Sequence, residues 1–267
     1  MNKTSRFIAS ILVFGYAFLY VPLILVVVYS FNDSQIATVW GGFSTRWYGE
    51  LFRNEQILDA ISLSLRIAMT SATAATILGT MAGLAMARFG RFRGRTLFSG
   101  MLSSPMVMPE VITGLSLLLL FVTLQQLTGW PGQRGFATIT IAHTTFSMAY
   151  VAVIVQSRLV AIDESLEEAA MDLGGRPFRV VLDITLPLIA PAMIAGWLLS
   201  FTLSLDDLVI ASFVSGPGST TLPMLIFSKV KLGVTPDINA LASIIIALVS
   251  LGVALAWIIA RRAVKST

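Results

Sequence analysis

The run FIASILVFGYAFLYVPLILVVVYSF, at residues 7–31, contains no charged side chain. A membrane-spanning helix needs about 20 predominantly apolar residues to cross the hydrocarbon core, so this run is long enough. It exceeds the apolar region of about 7 to 15 residues in a secretory signal peptide, and no small-residue cleavage site precedes the polar sequence after it. We therefore expect a retained membrane helix.

The composition of the whole chain extends this expectation. The 267 residues have a mean hydropathy of +0.84 and only 12% of them are charged, about half of the share typical of soluble domains. Apolar segments of about twenty residues are too long for barrel strands and predict helices. Six such segments are present, at about residues 8–31, 60–88, 97–127, 136–158, 189–213 and 239–260. The predicted fold class is an all-α polytopic membrane protein with six transmembrane helices.

Basic residues are distributed unequally between the two sides of these segments. Twelve lie on one side: Lys3, Arg6, Arg88, Arg91, Arg93, Arg95, Arg158, Arg176, Arg179, Arg261, Arg262 and Lys265. Five lie on the other, with Arg66 left near the start of the second segment: Arg46, Arg53, Arg134, Lys229 and Lys231. The positive-inside rule predicts that the richer side and both termini are cytoplasmic. Because topology explains the sequence pI of 9.7, we expect no nucleic acid partner.

Several classes of chemistry are excluded by residues that the chain lacks. It has no cysteine and a single histidine, His143, which removes disulfides, thiolate catalysis and clustered metal ligands of these types. No Gly-Lys dipeptide occurs, so the chain has no phosphate-binding loop for a nucleotide. We expect no enzyme activity, no metal and no bound cofactor.

Prolines are predicted to disturb the third segment. Pro105 and Pro109, together with Gly114, should break or bend its helix. Irregular backbone at membrane depth is tolerated only where protein or a watery cavity satisfies its polar groups. An ordinary lipid-packed kink is the alternative interpretation.

A charged segment separates the fourth and fifth apolar segments. Six of the fourteen acidic residues lie between Asp163 and Asp183. Residues 163–173 are strong helix formers with acidic residues leading, which suits the positive end of a helix dipole. Gly174 is the predicted C-cap, because glycine adopts the left-handed conformation without a steric penalty.

The charged segment continues after the glycine turn. Pro177 can open a second short helix that we expect to end at Leu186, with Pro187 beginning the return to the membrane. The two helices would project from the membrane at an angle. The small side chains of Ala169 and Ala170 would suit insertion into a groove of another protein. A solvated connecting loop is the alternative.

The spacing in this segment resembles a signature of permease subunits of bacterial ABC importers, namely E-A-A, three residues, G, nine residues and I-x-L-P. The matching residues are Glu168, Ala169, Ala170, Gly174, Ile184, Leu186 and Pro187. Stretches at residues 44–50, 108–121 and 204–218 also look like those of polyamine permeases. The resemblance therefore covers nearly the whole chain.

The resemblance implies the architecture of a type I importer permease. The segment at residues 163–187 would be a coupling-helix hairpin that docks on a cytoplasmic ATPase. Its predicted coupling residues are Glu168, Ala169, Ala170, Asp172, Gly174, Arg176, Ile184, Leu186 and Pro187. The expected organisation is an N-terminal helix with the first periplasmic loop at 1–59, a permease domain at 60–262 and a cytoplasmic tail at 263–267.

The resemblance also implies partners in and around the bacterial inner membrane. A related six-helix permease subunit would complete a heterodimer, and lipids would surround the spans. A cytoplasmic ABC ATPase dimer would bind ATP-Mg. A periplasmic polyamine-binding protein would deliver the substrate.

Three carboxylates lie within apolar segments, those of Glu110, Asp206 and Asp207. A carboxylate near mid-membrane costs at least a few kcal/mol unless it is paired or hydrated. The two ammonium groups of a diamine such as putrescine would satisfy carboxylates along a polar substrate path. The alternatives are an internal salt bridge, for example with Arg66, or a position near the membrane interface.

The two aspartates are sequence neighbours and point in different directions. On a helix they lie about 100° apart, so only one faces a given cavity squarely, and we favour Asp206. Trp130 and Tyr150 are candidates for cation–π contact, although tryptophan near a span end is commonly an interface anchor. His143 is predicted to be packed or hydrogen-bonded rather than to relay protons.

Two classes of function are compatible with these features. The first is the permease subunit of an ATP-driven polyamine importer, with putrescine as the favoured substrate and spermidine as the alternative. The second is an autonomous cation channel or carrier that uses Glu110 and Asp206 as a cation relay, but it leaves the cytoplasmic signature unexplained. An intramembrane aspartyl protease is disfavoured, because its two aspartates should come from separate helices.

Overall fold

In the described part of the chain, the computed structural model has six helices that are long and apolar enough to cross a membrane, which confirms the predicted all-α polytopic fold. The structure describes residues 3–36, 39–233 and 235–265. The helices are α1 (Lys3–Tyr29), α2 (Arg46–Leu51), α3 (Glu55–Arg88), α4 (Arg95–Val107), α5 (Glu110–Thr128), α6 (Phe136–Val160), α7 (Ser165–Asp172), α8 (Pro177–Val180) with a π-helical segment (Val181–Thr185), α9 (Leu186–Asp206), α10 (Val209–Val214), α11 (Leu222–Leu232) and α12 (Pro236–Lys265). The spans are α1, α3, α5, α6, the continuous helix from α8 to α9, and α12.

The third predicted span is broken at a proline, as the sequence predicts. α4 passes through Pro105 and gives way to α5 at Met108 and Pro109. Met108 is extended, with φ −75° and ψ 137°, because the residue before a proline is sterically kept out of the helical region. The break places Glu110 in the first turn of α5, where the helix dipole favours a carboxylate.

The fifth predicted span contains a second break, so the prediction of one apolar helix over residues 189–213 is wrong. Asp207 lies between α9 and α10 in an extended conformation, with φ −66° and ψ 121°. Its carboxylate accepts hydrogen bonds from the backbone N–H groups of Ile210 at 3.2 Å and Ala211 at 2.7 Å. A short acidic side chain that caps the following helix competes with continuation of the preceding one.

The predicted end of the second hairpin helix at Leu186 is also wrong. α8 begins at Pro177 as predicted, but it passes through the π-helical segment into α9 without interruption. The wider π-helical turn ends two residues before Pro187, where an ordinary α-helical ladder would lose a backbone donor. The second half of the hairpin and the fifth span therefore form one uninterrupted helix.

The chain divides into two compact units, Met1–Leu58 with Ile226–Thr267, and Asp59–Leu225. In the first unit, α12 packs against α1 and α2. α12 extends to Lys265, so helix covers most of the tail expected at residues 263–267. Residues 266 and 267 of that tail lie outside the described residues.

α6 is the most buried span and lies at the centre of the second unit. Glycines let its neighbours approach closely. A Cβ added to Gly79 of α3 would lie 2.6 Å from the Cβ of Val151, and one added to Gly83 would lie 3.0 Å from the carbonyl oxygen of Ala152. A Cβ added to Gly196 of α9 would likewise lie 3.1 Å from Cγ1 of Val151. Small residues at such positions allow tight packing of membrane helices, so α6 is held between α3 and α9.

Candidate functional site

The hairpin between α6 and α9 has the turn geometry that the sequence predicts. Gly174 follows α7 in the left-handed conformation, with a φ of +87°. Its N–H donates to the carbonyl oxygen of Met171 at 2.9 Å, and the N–H of Gly175 donates to that of Ala170 at 3.0 Å. A Cβ added to Gly174 would meet no atom within 4 Å, so the backbone conformation alone favours glycine there.

The hairpin presents most of the predicted coupling residues at its surface. The exposed ones are Glu168, Ala169, Asp172, Gly174, Arg176 and Pro187, and the half-buried ones are Ala170, Ile184 and Leu186. Two large apolar side chains accompany them, since Leu173 is 91% exposed and Phe178 is 74% exposed. Apolar side chains left uncovered on a charged hairpin are typical of a surface that meets another protein.

A pocket of about 650 Å³ lies between α7 and α8. Four of the predicted coupling residues line it: Ala170, Gly174, Arg176 and Ile184. Arg179 adds a second guanidinium to the lining. The fold therefore gathers residues from both halves of the signature around one concave surface.

Asp163 fixes the start of α7 outside the membrane spans. Its Oδ1 accepts a hydrogen bond from the backbone N–H of Ser165 at 3.0 Å. This bond, with a smaller contribution from the Ser165 side chain, holds the pKa of the Asp163 carboxyl below its usual value. A charged carboxylate at this position also suits the N-terminal end of the helix dipole.

The structure contains an ion-pair cluster at the base of the hairpin that the sequence did not predict. Arg88, the last residue of α3, donates from Nε to Glu167 at 3.0 Å and from Nη1 to Glu164 at 2.9 Å. The Thr185 hydroxyl donates to Oε1 of Glu167 at 3.0 Å. The spacing of the two glutamates places them on one helix face. No local pattern, however, pairs either of them with an arginine more than seventy positions away.

Asp207 belongs to a buried hydrogen-bonded network. Its Oδ2 lies 3.1 Å from Nε2 of His143, whose Nδ1 lies 2.7 Å from Oγ of Ser204. The Ser71 hydroxyl donates to Ser204 Oγ at 3.1 Å. An ionised carboxylate only accepts, so we assign the ring proton to Nε2, and Nδ1 then accepts from Ser204. His143 is thus buried and hydrogen-bonded, as the sequence predicts.

Asp206 and Glu110 are exposed carboxylates at the two helix breaks. Gly114 lies one turn after Glu110 and packs against α10. A Cβ added to it would lie 2.7 Å from the ring of Phe213 and 3.3 Å from the Cα of Ile210. The fold therefore brings the first turns of α5 beside α10, which follows Asp206 closely in the chain.

The remaining side chains considered for the substrate path have other neighbours. Arg66 donates to the hydroxyl of Ser62 at 2.7 and 3.2 Å. None of the ion pairs among the described residues includes Arg66, so the salt-bridge alternative gains no support. Trp130 and Tyr150 pack against phenylalanine rings, with centroids 6.2 and 5.4 Å apart.

Replacing His143 with alanine is expected to lower the stability of the protein, because Asp207 and Ser204 would lose a buried partner. Loss of one partner from a buried hydrogen bond costs about 1–3 kcal/mol. For a chain of this size, each kcal/mol lowers Tm by about 2–4 °C. Thermal unfolding of the purified protein in detergent measures the effect. Ser157→Ala, an exposed position on the same helix, is the control, and equal Tm values for the two variants would contradict the prediction.

The fold and the hairpin define a multi-pass helical membrane protein with a signature-bearing hairpin between its fourth and fifth spans. Residues 79–266 match the family described as "Binding-protein-dependent transport system inner membrane component". The chain belongs to this family and is a non-catalytic inner membrane component of such a transport system. Within the described ranges, no group of three or more His, Asp or Glu side chains forms a potential metal site.

Two relatives are similar to almost the whole chain. The putrescine transport system permease protein PotI of Escherichia coli (strain K12) is 60% identical, over 96% of this chain and 91% of its own length. The spermidine/putrescine transport system permease protein PotC of the same strain is 44% identical, over 94% of this chain and 92% of its own length. These similarities confirm the predicted resemblance to permease subunits.

Solved structures of ABC transporters have the same fold. A bacterial ABC transporter involved in the import of the acidic polysaccharide alginate gives a TM-score of 0.72 at 15% identity, over 98% of both chains. The MetNI methionine ABC transporter in an inward facing conformation gives 0.60 at 16% identity, over 83% of this chain and 99% of that chain. At these identities the likeness concerns the fold, and it confirms the predicted importer-permease architecture.

Proposed function

We propose that this chain is a permease subunit of an ATP-driven polyamine importer and that putrescine is its substrate. The observation that carries this proposal is the 60% identity to a putrescine permease over nearly the full length of both chains. The identity to a spermidine/putrescine permease is lower, at 44%, and this difference supports putrescine over spermidine as the proposed substrate. Spermidine is the second candidate substrate, because the 44% identical relative is a spermidine/putrescine permease.

The proposed orientation places both termini and the hairpin in the cytoplasm. The excess of basic residues on that side supports it. There the exposed coupling residues would dock on a cytoplasmic ABC ATPase dimer, which would hold ATP-Mg, since this chain has no phosphate-binding loop. A related permease subunit would complete the pore, and a periplasmic polyamine-binding protein would deliver the substrate to it.

The proposed transport step is a shift between two arrangements of the paired permease subunits. ATP binding would bring the ATPase subunits together and move the docked hairpins with them. Because α8 continues into α9, a displacement of the hairpin would move the fifth span directly. The helix break after Asp206 lies at the far end of that same helix, so the movement would reach the proposed substrate path.

The proposed substrate path uses Asp206 and Glu110. Both side chains are exposed at helix breaks, and Gly114, one turn after Glu110, packs against α10, the helix that follows Asp206. Asp207 is the less suitable ligand, because its oxygens already accept from His143 and from two backbone N–H groups. Two separate carboxylates match a diammonium substrate, whose charges are satisfied only when both ends are paired.

The substrate is tested by purifying the chain with the proteins that accompany it and reconstituting the complex in proteoliposomes. ATP-driven uptake is then measured for putrescine, cadaverine, spermidine and spermine. We expect putrescine to be transported at the lowest concentration. Preferential spermidine uptake would assign the second candidate substrate, and transport of none of these amines would contradict the polyamine function.

A further inference from the structure

We propose that Arg88, Glu167 and Thr185 form a positioning clamp that fixes the hairpin to the end of the second membrane span. The clamp rests on the proposed coupling role of the hairpin and deepens it. In this view the ATPase moves a rigid body that is attached to three spans, and the clamp is the attachment to α3.

The clamp joins three elements that are distant in sequence. Arg88 ends α3, Glu167 lies in α7, and Thr185 ends the π-helical segment before α9. The guanidinium Nε donates to both oxygens of Glu167, at 3.0 and 3.3 Å. The Thr185 hydroxyl donates to Oε1 of the same carboxylate at 3.0 Å. Glu167 is therefore the central acceptor that holds the other two elements together.

Glu164 also pairs with Arg88, but its side chain is far more exposed than that of Glu167. The side chains of Arg88 and Glu167 are 14% and 16% exposed, whereas that of Glu164 is 65% exposed. Exposed ion pairs contribute little, while removal of one member of a buried pair leaves an uncompensated charge. The Arg88 Nη2 atom is buried without a hydrogen-bond partner in the described part of the chain, which makes the guanidinium more dependent on Glu167.

The π-helical segment gives Thr185 its place in the clamp. Val180, Thr185 and Ile189 are all buried, at spacings of five and then four residues. Residues five apart lie about 140° apart around an ordinary α-helix and do not share a face. The wider π-helical turn brings the fifth residue closer to the same face. The threonine can therefore turn toward Glu167 while Ile189 packs in the core that α6 shares with α9.

The clamp changes how the hairpin is attached to the membrane helices. Without it, the hairpin is connected through the chain to α6 at one end and to α9 at the other. A body held at two points can rotate about the line that joins them. A third attachment, at α3, prevents this rotation, so a displacement imposed on the hairpin reaches the spans instead of turning the hairpin in place.

The first test measures putrescine uptake and ATP hydrolysis in the same proteoliposomes containing the complete complex. Glu167→Gln preserves the side-chain shape but removes the charge that faces Arg88. We expect the uptake per ATP hydrolysed to fall about tenfold. The same ratio should fall by a similar factor in Arg88→Ala. It should be partly restored in Arg88→Lys, because lysine supplies a positive charge facing Glu167 but lacks the planar guanidinium. A purely structural role would change stability but leave this ratio unchanged.

Glu164→Gln and Arg91→Ala are the matched controls, because they alter the exposed carboxylate that directly precedes α7 and an exposed arginine of the loop after α3. Both are expected to keep the wild-type ratio within about twofold. Equal losses in Glu164→Gln and Glu167→Gln would overturn the clamp, and so would a wild-type ratio in Glu167→Gln.

A second measurement does not depend on transport. Hydrogen exchange of residues 165–180 in the purified complex should be faster in Glu167→Gln than in Glu164→Gln, because only the former releases the hairpin from α3. Equal exchange would overturn the clamp itself. Failure of the wild-type complex to take up any polyamine would instead overturn the proposed function and the coupling role, with the exchange result still deciding the attachment.

Discussion

Replacing Gly174 with valine is expected to lower ATP-driven uptake at least about tenfold, while membrane insertion and ATP hydrolysis by the complex persist. The φ of +87° is a conformation that a β-branched residue adopts only with strain. No atom lies within 4 Å of an added Cβ, so the whole effect comes from the backbone of the turn. The hairpin would therefore refold locally and present its proposed docking surface at a different angle.

Two variants separate a local effect on the hairpin from a general effect on folding. Gly94 has nearly the same torsion, with φ +88°, and also has open space around an added Cβ, but it lies before α4. Gly94→Val is expected to carry a similar strain and to retain more transport. Gly174→Asn should retain most activity, because asparagine tolerates the left-handed conformation. Unchanged uptake in Gly174→Val would remove the docking role.

Replacing Asp206 with asparagine is expected to reduce putrescine uptake by about tenfold to a hundredfold, because one charge-assisted contact with an ammonium group is worth about 1.5–3 kcal/mol. Asp206 is exposed at the end of α9, so the complex should still assemble. The measurement is the concentration dependence of uptake in proteoliposomes, together with size-exclusion chromatography of the complex.

Asp207→Asn is the matched control at the neighbouring position. Its carboxylate caps α10 and pairs with His143, so we expect a lower Tm rather than a selective loss of substrate affinity. If uptake survives in Asp206→Asn and the assembly instead falls apart, Asp206 is a structural ion pair within the complex. Identical effects of the two substitutions on uptake and on Tm would contradict the proposal that Asp206 binds substrate while Asp207 has a structural role.

Local rules predicted the features that depend on a few adjacent residues. The break before α5 follows from the torsion that Pro109 imposes on Met108, and the left-handed turn at Gly174 follows from the absence of a Cβ. The six spans follow from the length of the apolar segments. The burial of His143 was also predictable, because a polar ring within an apolar segment requires partners.

Two local geometries that apolar periodicity conceals, and one contact between distant residues, were not predictable from the sequence patterns. The helix break at Asp207 arises because its carboxylate caps the next helix, an outcome that the apolar run around it conceals. The continuous helix through Pro187 requires a π-helical turn, which a search for 3.6-residue periodicity does not detect. The pairing of Arg88 with Glu167 depends on how α3 meets α7 in the folded protein.

The most direct test compares putrescine uptake into proteoliposomes with and without ATP and a periplasmic binding protein. We predict uptake against a concentration gradient only when both are present, because the chain has no phosphate-binding loop of its own and we propose that it couples to the ATPase through the hairpin. Uptake by the isolated chain, down a gradient and independent of ATP, would contradict this function and would indicate an autonomous channel or carrier.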